Sequence, residues 1–327
     1  MIVVTGAAGF IGSNIVADLE DAGHGPIAVS DWFGTGDKWR NLAKRDIAAF
    51  VPPEELMSWL EGRDDISAVI HMGAISSTTE RDCDLLVDRN INATVDLWDW
   101  CAANNVRFIY ASSAATYGAL EENLLDEETP EFLGNLRPLC GYGWSKNATD
   151  KLLMRRVREG APVPPQWAGL KFFNVYGPNE YHKDDMMSVV AKFFDTVKRG
   201  ETVNLFKSDR KGIANGQQSR DFVYVKDCSK AVLWLLENDH ASGLFNIGTG
   251  QARSFEDLVR AIGAALDVEV DIDYVDMPET LKGKYQYYTR AEMGKLREAG
   301  LNDPFHSLED GVRDYVTTYL DTEDRYR

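Results

Sequence analysis

Met1-Ile2-Val3-Val4-Thr5-Gly6-Ala7-Ala8-Gly9-Phe10-Ile11-Gly12 opens the chain. The apolar run 2–5 reads as a buried strand, and the apolar periodicity from Phe10 onward reads as a helix over 10–22. Between them stand three glycines in the spacing Gly-x-x-Gly-x-x-Gly. Gly6 suits a tight turn. A side chain at position 9 would block an approaching pyrophosphate, and one at position 12 would push the helix off the strand. The helix N-terminus then offers N–H groups and a partial positive charge to phosphates. Asp31 closes the next apolar run, 27–31, where a carboxylate accepts hydrogen bonds from ribose hydroxyls. Strand, glycine turn, helix and acidic strand end together predict a dinucleotide site for NAD or NADP. Asp31 favours NAD, while Lys38 and Arg40 follow closely enough to meet a 2′-phosphate, so the residues alone leave that choice open.

The rest of the chain extends this unit. Strands are expected at 68–71, 108–111 and 170–174, with helices at 81–104 and 142–158 between them. Leu85, Leu86, Ile91, Val95, Leu97, Trp98 and Cys101 supply the helical spacing of the first. Alternating strands and helices predict an α/β fold, a Rossmann doubly wound parallel sheet covered on both faces. Residues 1–174 form the nucleotide-binding domain in this reading. Residues 175–327 form mainly a smaller α/β substrate lobe, with some segments returning to the first domain. In that lobe helices are expected at 184–199, 227–237, 254–266 and 308–320, and strands at 203–206, 222–225 and 244–247. The polar, Gly- and Gln-rich stretch 207–219 reads as a loop.

Composition narrows the partners. The 327 residues are 44% apolar and carry 35 basic against 52 acidic side chains, a net charge of −17. Such a surface repels nucleic acid and anionic membrane, so any phosphate must be met by local donors. Cys83, Cys101, Cys140 and Cys228 form no Cys-x-x-Cys pair and read as reduced thiols of a cytoplasmic protein. His24, His71, His182, His240 and His306 show no metal-binding spacing, so no metal is expected. No apolar run approaches the ~18 residues of a membrane span, and none reads as a signal peptide.

Tyr142-Gly-Trp-Ser-Lys146 places a phenol and an ammonium one helical turn apart. A phenol is a poor base at neutral pH. A neighbouring ammonium and a cationic nicotinamide ring both favour the phenolate. Tyr142 is then able to take the proton of an alcohol while its carbon loses hydride. Ser113, in Tyr110-Ala-Ser-Ser-Ala-Ala-Thr-Tyr-Gly118, ends a strand where it can hydrogen-bond the reacting oxygen.

With these residues assembled, the sequence resembles the extended short-chain dehydrogenase/reductase family. Gly73-Ala74, Asn90, Ser112-Ser113, Asn174-Val-Tyr-Gly-Pro178, Arg220-Asp-Phe-Val-Tyr-Val225 and Phe245-Asn-Ile-Gly248 carry the match beyond the motifs above. Members act mostly on nucleotide-linked sugars. Ser76-Ser-Thr-Thr-Glu80, His182-Lys183 and Leu281-Lys-Gly-Lys-Tyr-Gln286 point more narrowly, to the subgroup that epimerises C6″ of an ADP-linked glycero-manno-heptose. This resemblance implies Tyr142 and Lys183 as the two acid/base groups, with Ser113 and Lys146 beside them. It implies cofactor contacts, with NADP, from Gly6, Gly9, Phe10, Ile11 and Gly12; from Asp31, Trp32 and Lys38; from Met72, Gly73, Ala74, Ile75 and Ser76; and from Asn90, Lys146 and Val175. It implies substrate contacts from Ser113, Asn174, Asp185, Lys192, Phe206, Lys207, Ser208, Asp209, Arg220 and Tyr285. It also implies a homo-oligomer, a pentamer, and a product that feeds lipopolysaccharide core assembly. Trp98 and Trp100 serve either an interface or the core.

Four features depart from that subgroup: Trp32 beside Asp31, Asp185 for a serine, Lys192 for a histidine, and an insertion at 211–216. All fall around the sugar-nucleotide pocket. The expected reaction is transient oxidation at C6″, rotation of the planar ketone, and return of the same hydride to its other face. A UDP-hexose 4-epimerase is the nearest alternative and uses the same Ser/Tyr/Lys set. A 4,6-dehydratase needs an Asp-Glu pair where Ala114-Ala115 stand. A non-catalytic NAD(P)-binding regulator has no use for Tyr142, Ser113 and Lys146 together.

Overall fold

The computed structural model describes residues 1–278 and 286–327. Strands β1 (Ile2–Thr5), β2 (Ile27–Ser30), β3 (Ala49–Val51), β4 (Ala68–His71), β5 (Arg107–Ser113) and β6 (Trp167–Phe172) build the main sheet in the order β6-β5-β4-β1-β2-β3. Every neighbouring pair is parallel, with Ile2 opposite Ile27 on one side and Ala68 on the other. Strands β1, β2, β4 and β6 are buried throughout, as expected of a sheet covered on both faces. The order reverses between β1 and β4, so a crevice opens at the carboxyl ends of those strands.

Helix α1 (Phe10–Asp21) follows β1 directly and buries Ile15, Val16 and Leu19 against the sheet. Each such side chain contributes about 1.5–3 kcal/mol through burial. The 81–104 helix is a short turn at Cys83–Leu86, a π-helical stretch at Val87–Asn92, and then α2 (Ala93–Ala103). Trp98 is fully buried and packs edge-on to Phe108, so it belongs to the core and not to a surface. Helix α3 (Gly141–Arg158) carries Tyr142 and Lys146.

Beyond residue 174 the chain divides between two hydrophobic clusters. Short β7 (Asn174–Tyr176) pairs with β9 (Ser219–Tyr224), while β8 (Val203–Phe206) pairs with β12 (Ile272–Val275). Between them in sequence, α4 (Val189–Lys198) and α5 (Val225–Glu237) are helical. Strand β10 (Gly243–Ile247) returns to the main sheet as the seventh strand beside β6, and α5 packs on α1. Strand β11 (Ala252–Ser254) adds antiparallel to β9, and α6 (Phe255–Leu266) and α7 (Leu308–Tyr315) cover the second cluster.

Three expectations are corrected. The helix expected at 184–199 begins at Val189, because the Ser188 hydroxyl caps it by accepting from the Ala191 N–H. Residues 181–186 form 3-10 turns with a break at Asp184. The strand expected at 170–174 is two strands: the Phe173 N–H makes the last rung to Ile247 of the neighbouring strand, and the Val175 N–H then turns back on the Phe173 carbonyl. Strands β3, β11 and β12 are too short to declare themselves in the sequence. Among the described residues no helix is long and apolar enough to cross a membrane, and no His/Cys/Asp/Glu group could hold a metal ion.

Candidate active site

A cleft of about 910 Å³ opens over the carboxyl ends of the sheet, lined by Thr5, Ser30, His71, Ser113 and Phe172 from five strand ends. The glycine turn forms its floor. Gly6 holds φ +61°, and a Cβ there would meet the Gly73 N at 2.6 Å. A Cβ on Gly12 would lie 2.1 Å from the Gly6 carbonyl oxygen, so only glycine lets α1 sit this close to β1. No side chain caps α1 and its first turn holds no acid, which leaves the helix dipole for an anion. The Ser30 hydroxyl lines the cleft next to Asp31 and is buried without a hydrogen-bond partner, so a polar ligand has an acceptor or donor waiting there. These features fit a dinucleotide.

Beside Ser30, one Asp31 oxygen accepts from the Ala8 N–H at 2.9 Å and the other binds the Lys38 ammonium at 2.6 Å. Lys38 also donates to the Trp32 carbonyl at 2.8 Å. Trp32 donates from its indole N–H to Glu54, and the Arg89 guanidinium lies over its ring at 4.6 Å. Arg89 and Glu54 are the functional candidates that sequence reading missed here. Arg89 sits in the π-helical stretch, which has no signature in the apolar periodicity.

Met72, Gly73, Ala74, Ile75 and Ser76 continue the wall after β4, and Val175 closes it from β7. Asn90 lies behind that wall, fully buried. Its amide accepts from the Ile75 N–H and donates to the Ile75 carbonyl and to Ser145, bracing the 73–76 loop against α3. It is a support for the lining and not part of it.

Tyr142, Lys146 and Ser113 meet at the cleft's centre. Lys146 donates to the Ala111 carbonyl at 2.7 Å. Burial pulls its ammonium down to about 8, and the Asp150 carboxylate opposes that shift. The expectation that Lys146 lowers the phenol is not what the protein alone shows. Burial raises the Tyr142 phenol above its ordinary value, and the hydrogen bond with Ser113 is what pulls it back. The phenolate therefore needs further positive charge nearby. His71, deeper in the cleft, is bonded to Thr5 and Thr94 and held neutral by burial, down to about 3.

Lys183 reaches the same cleft from the loop after β7, its Nζ 5.2 Å from the centre of the Phe10 ring. Burial lowers its ammonium, and Glu180 opposes this. His182, also in the lining, is held neutral, at about 4.

Of the substrate residues, Ser113 and Asn174 line the cleft. The others named from sequence that lie among the described residues stand outside its lining. Asp185 and Lys192 are exposed and joined through Lys192 Nζ to the Asp185 carbonyl at 2.6 Å. Lys207 pairs with Asp276, and Ser208 bonds Arg210. Asp209 is held by the Tyr287 hydroxyl, and the buried Arg220 donates to the Ser219 and Gln286 carbonyls. Phe206 ends β8. Tyr285 lies outside the described residues. The structure supplies instead Phe222, Phe255, Leu258 and Met186 as apolar lining on this side.

Comparison with known proteins gives a consistent picture. Residues 2–248 match the model of the NAD dependent epimerase/dehydratase family. An ADP-L-glycero-D-manno-heptose-6-epimerase of Fusobacterium nucleatum is 47% identical, with 100% of both chains covered. The crystal structure of the Helicobacter pylori ADP-L-glycero-D-manno-heptose-6-epimerase superposes with a TM-score of 0.80 at 26% identity, covering 97% of this chain and 95% of that one. The Thermus thermophilus UDP-glucose 4-epimerase, solved with NAD, gives 0.73 at 26% identity, covering 96% and 97%.

Proposed function

The chain belongs to the NAD dependent epimerase/dehydratase family, and we propose that it inverts C6″ of ADP-D-glycero-D-manno-heptose by transient oxidation. The observation that carries this reading is that two proton-transfer groups, Tyr142 from α3 and Lys183 from the loop after β7, enter one cleft from separate elements. An exocyclic carbon exposes its second face by rotation about a single bond. Inversion there calls for acid/base groups on both faces, whereas oxidation alone needs one.

Bound nicotinamide supplies the reversible hydride acceptor. Gly6, Gly9 and Gly12 with the α1 N-terminus would hold its pyrophosphate, Asp31 and Ser30 its ribose, and Lys146 the second ribose. Ser113 orients the reacting oxygen and Tyr142 exchanges its proton. Lys183 serves the opposite face of the ketone. Phe222, Phe255 and Phe172 exclude water from the cleft's apolar side.

The test is stereochemical. Purified protein given ADP-D-glycero-D-manno-heptose is expected to yield a mixture of C6″ epimers, followed by proton NMR, with no net change in cofactor redox state. Turnover of a UDP-hexose with C6″ untouched would replace this reading by 4-epimerisation. Lys183→Ala is expected to slow the reaction about 10²-fold, and a normal rate removes Lys183 from the mechanism.

For the cofactor we propose NADP. Lys38 already neutralises the Asp31 carboxylate that would repel a 2′-phosphate, and the Arg89 guanidinium adds a second cation to the same end of the cleft. Equilibrium titration is expected to show NADP⁺ binding about tenfold tighter than NAD⁺, with Lys38→Ala narrowing the gap. Tighter NAD⁺ binding reverses the assignment.

A further inference from the structure

The loop that carries Lys183 runs from Gly177, just past β7, to Ser188, the cap of α4. Inside it lies Glu180, whose side chain has no solvent exposure. Its carboxylate accepts from the Ser188 hydroxyl at 2.6 Å, the Ser188 N–H at 2.5 Å, the Gly177 N–H at 3.4 Å, and the Tyr315 hydroxyl of α7 at 3.1 Å. One carboxylate thus joins both ends of the loop to each other and to a helix of the second core. All four donors are neutral. Placing a carboxylate where nothing cationic bonds it is costly, and burial indeed raises its pKa against the pull of Ser188.

Two backbone positions show what that carboxylate works against. Asn179 and Asp184, on either side of Lys183, hold φ of +73° and +45°. Non-glycine residues in such conformations cost about 1–3 kcal/mol each and persist only where their surroundings over-determine them. The surroundings here do so. The Asn179 side chain donates to Ser13 and accepts from the Arg327 N–H, Asn41 donates to the Asn179 carbonyl, and the Tyr181 hydroxyl donates to the Arg325 carbonyl. Such strain beside a group that enters a cleft is found where the side chain must be aimed.

We propose that Glu180 is a positioning residue for Lys183: its carboxylate ties the two ends of the 177–188 loop to each other and to α7, and so fixes where Lys183 enters the cleft. This rests on the reading of Lys183 as an acid/base group. An amide in its place would offer these donors one acceptor oxygen instead of two, and no charge. The charge matters because burial disfavours the Lys183 ammonium and Glu180 is the group that favours it. Other ionisable groups packed round the loop are Tyr181 and His182 within it, Tyr315 from α7, Arg325 from the C-terminal segment, and Asp31 and Lys38 facing His182 from the cofactor side.

Glu180→Gln tests this in the full-length protein. The expected result is a kcat lower by about 10²-fold, the cost of a misplaced catalytic group, with KM for the nucleotide sugar little changed. One limb of the kcat–pH profile should move to lower pH, because an ammonium that has lost its neighbouring negative charge deprotonates more readily. In a Lys183→Ala background, Glu180→Gln should add no further loss. A folded Glu180→Gln protein with an unmoved pH profile, or losses that multiply in the double variant, overturns the proposal. If Glu180→Gln does not fold, Tyr315→Phe removes one hydrogen bond and is read the same way: a kcat loss absent from the Lys183→Ala background supports the proposal, and an unchanged kcat overturns it. Failure of the Lys183 reading appears separately, as a wild-type rate in Lys183→Ala alone.

Discussion

Tyr142→Phe gives a folded protein that still binds its dinucleotide and epimerises about 10³-fold more slowly. The ring stays packed at the start of α3, and only the phenolic oxygen is lost. Ser113 loses the partner it holds there but keeps its bond from the Ala115 N–H, so the strand end does not collapse. Stability, read by denaturant unfolding, should change by about 1 kcal/mol, the worth of the one hydrogen bond with Ser113 that is lost. The chemistry has no substitute. Lys146 donates to the Ala111 carbonyl, and its ammonium carries a proton up to about pH 8, so below that it is no base. His71, an imidazole of the cleft lining, has both ring nitrogens engaged by threonines. Wild-type activity is expected to fall above about pH 8, where Lys146 loses its charge: with the phenol raised by burial and only the Ser113 hydrogen bond drawing it back, the phenolate depends on the positive charge that stands in the cleft. A Tyr142→Phe enzyme within tenfold of wild type would move the proton transfer to another group.

The nucleotide-binding half was legible because its signals are local. The glycine turn, the strand ends and the Tyr-x-x-x-Lys helix each depend on residues a few positions apart, and β1, β4, α1 and α3 fall within a residue of expectation. Short β3 and the edge strands β11 and β12 were not legible, since their residues alternate weakly and gain their ladders only from partners far along the chain. The stretch 184–188 was misread as helix for a related reason: Asp184 breaks it, and what holds the loop around the break is Glu180, reaching Tyr315. Pairings across such separations leave no periodic trace. Trp98 reads identically as interface or core until its neighbours Phe108 and Trp167 are in place. Three of the residues expected from sequence to meet the nucleotide sugar stand outside the cleft lining for a further physical reason. Lys192, Lys207 and Asp209 already have partners within the protein, in Asp185, Asp276 and Tyr287.

Behind Ser112 and Ser113 lies a second fully buried charge, and its removal is expected to have the largest effect on stability. Asp150, one turn past Lys146 on α3, accepts from Lys171 Nζ at 2.6 Å, the Ser112 hydroxyl at 2.8 Å and the Tyr110 hydroxyl at 3.0 Å. Lys171, on β6, also donates to Thr116 at 3.0 Å. Both side chains have no exposure. Lys171→Met leaves the carboxylate buried without its cation and should cost about 3–5 kcal/mol, measured as a fall in the denaturant midpoint. Asp150→Asn together with Lys171→Met removes both charges and keeps an acceptor for Tyr110 and Ser112. Most of the lost stability should return, to within about 2 kcal/mol of wild type. Activity should not return with it. The Asp150 carboxylate is what opposes the effect of burial on Lys146, so the double variant should lose its activity on the alkaline side at a pH below that of wild type. Equal midpoints for Lys171→Met and wild type would show that the pair contributes nothing to the fold. An unshifted alkaline limb in the double variant would show that α3 holds Lys146 in its charged state without help from the carboxylate one turn away.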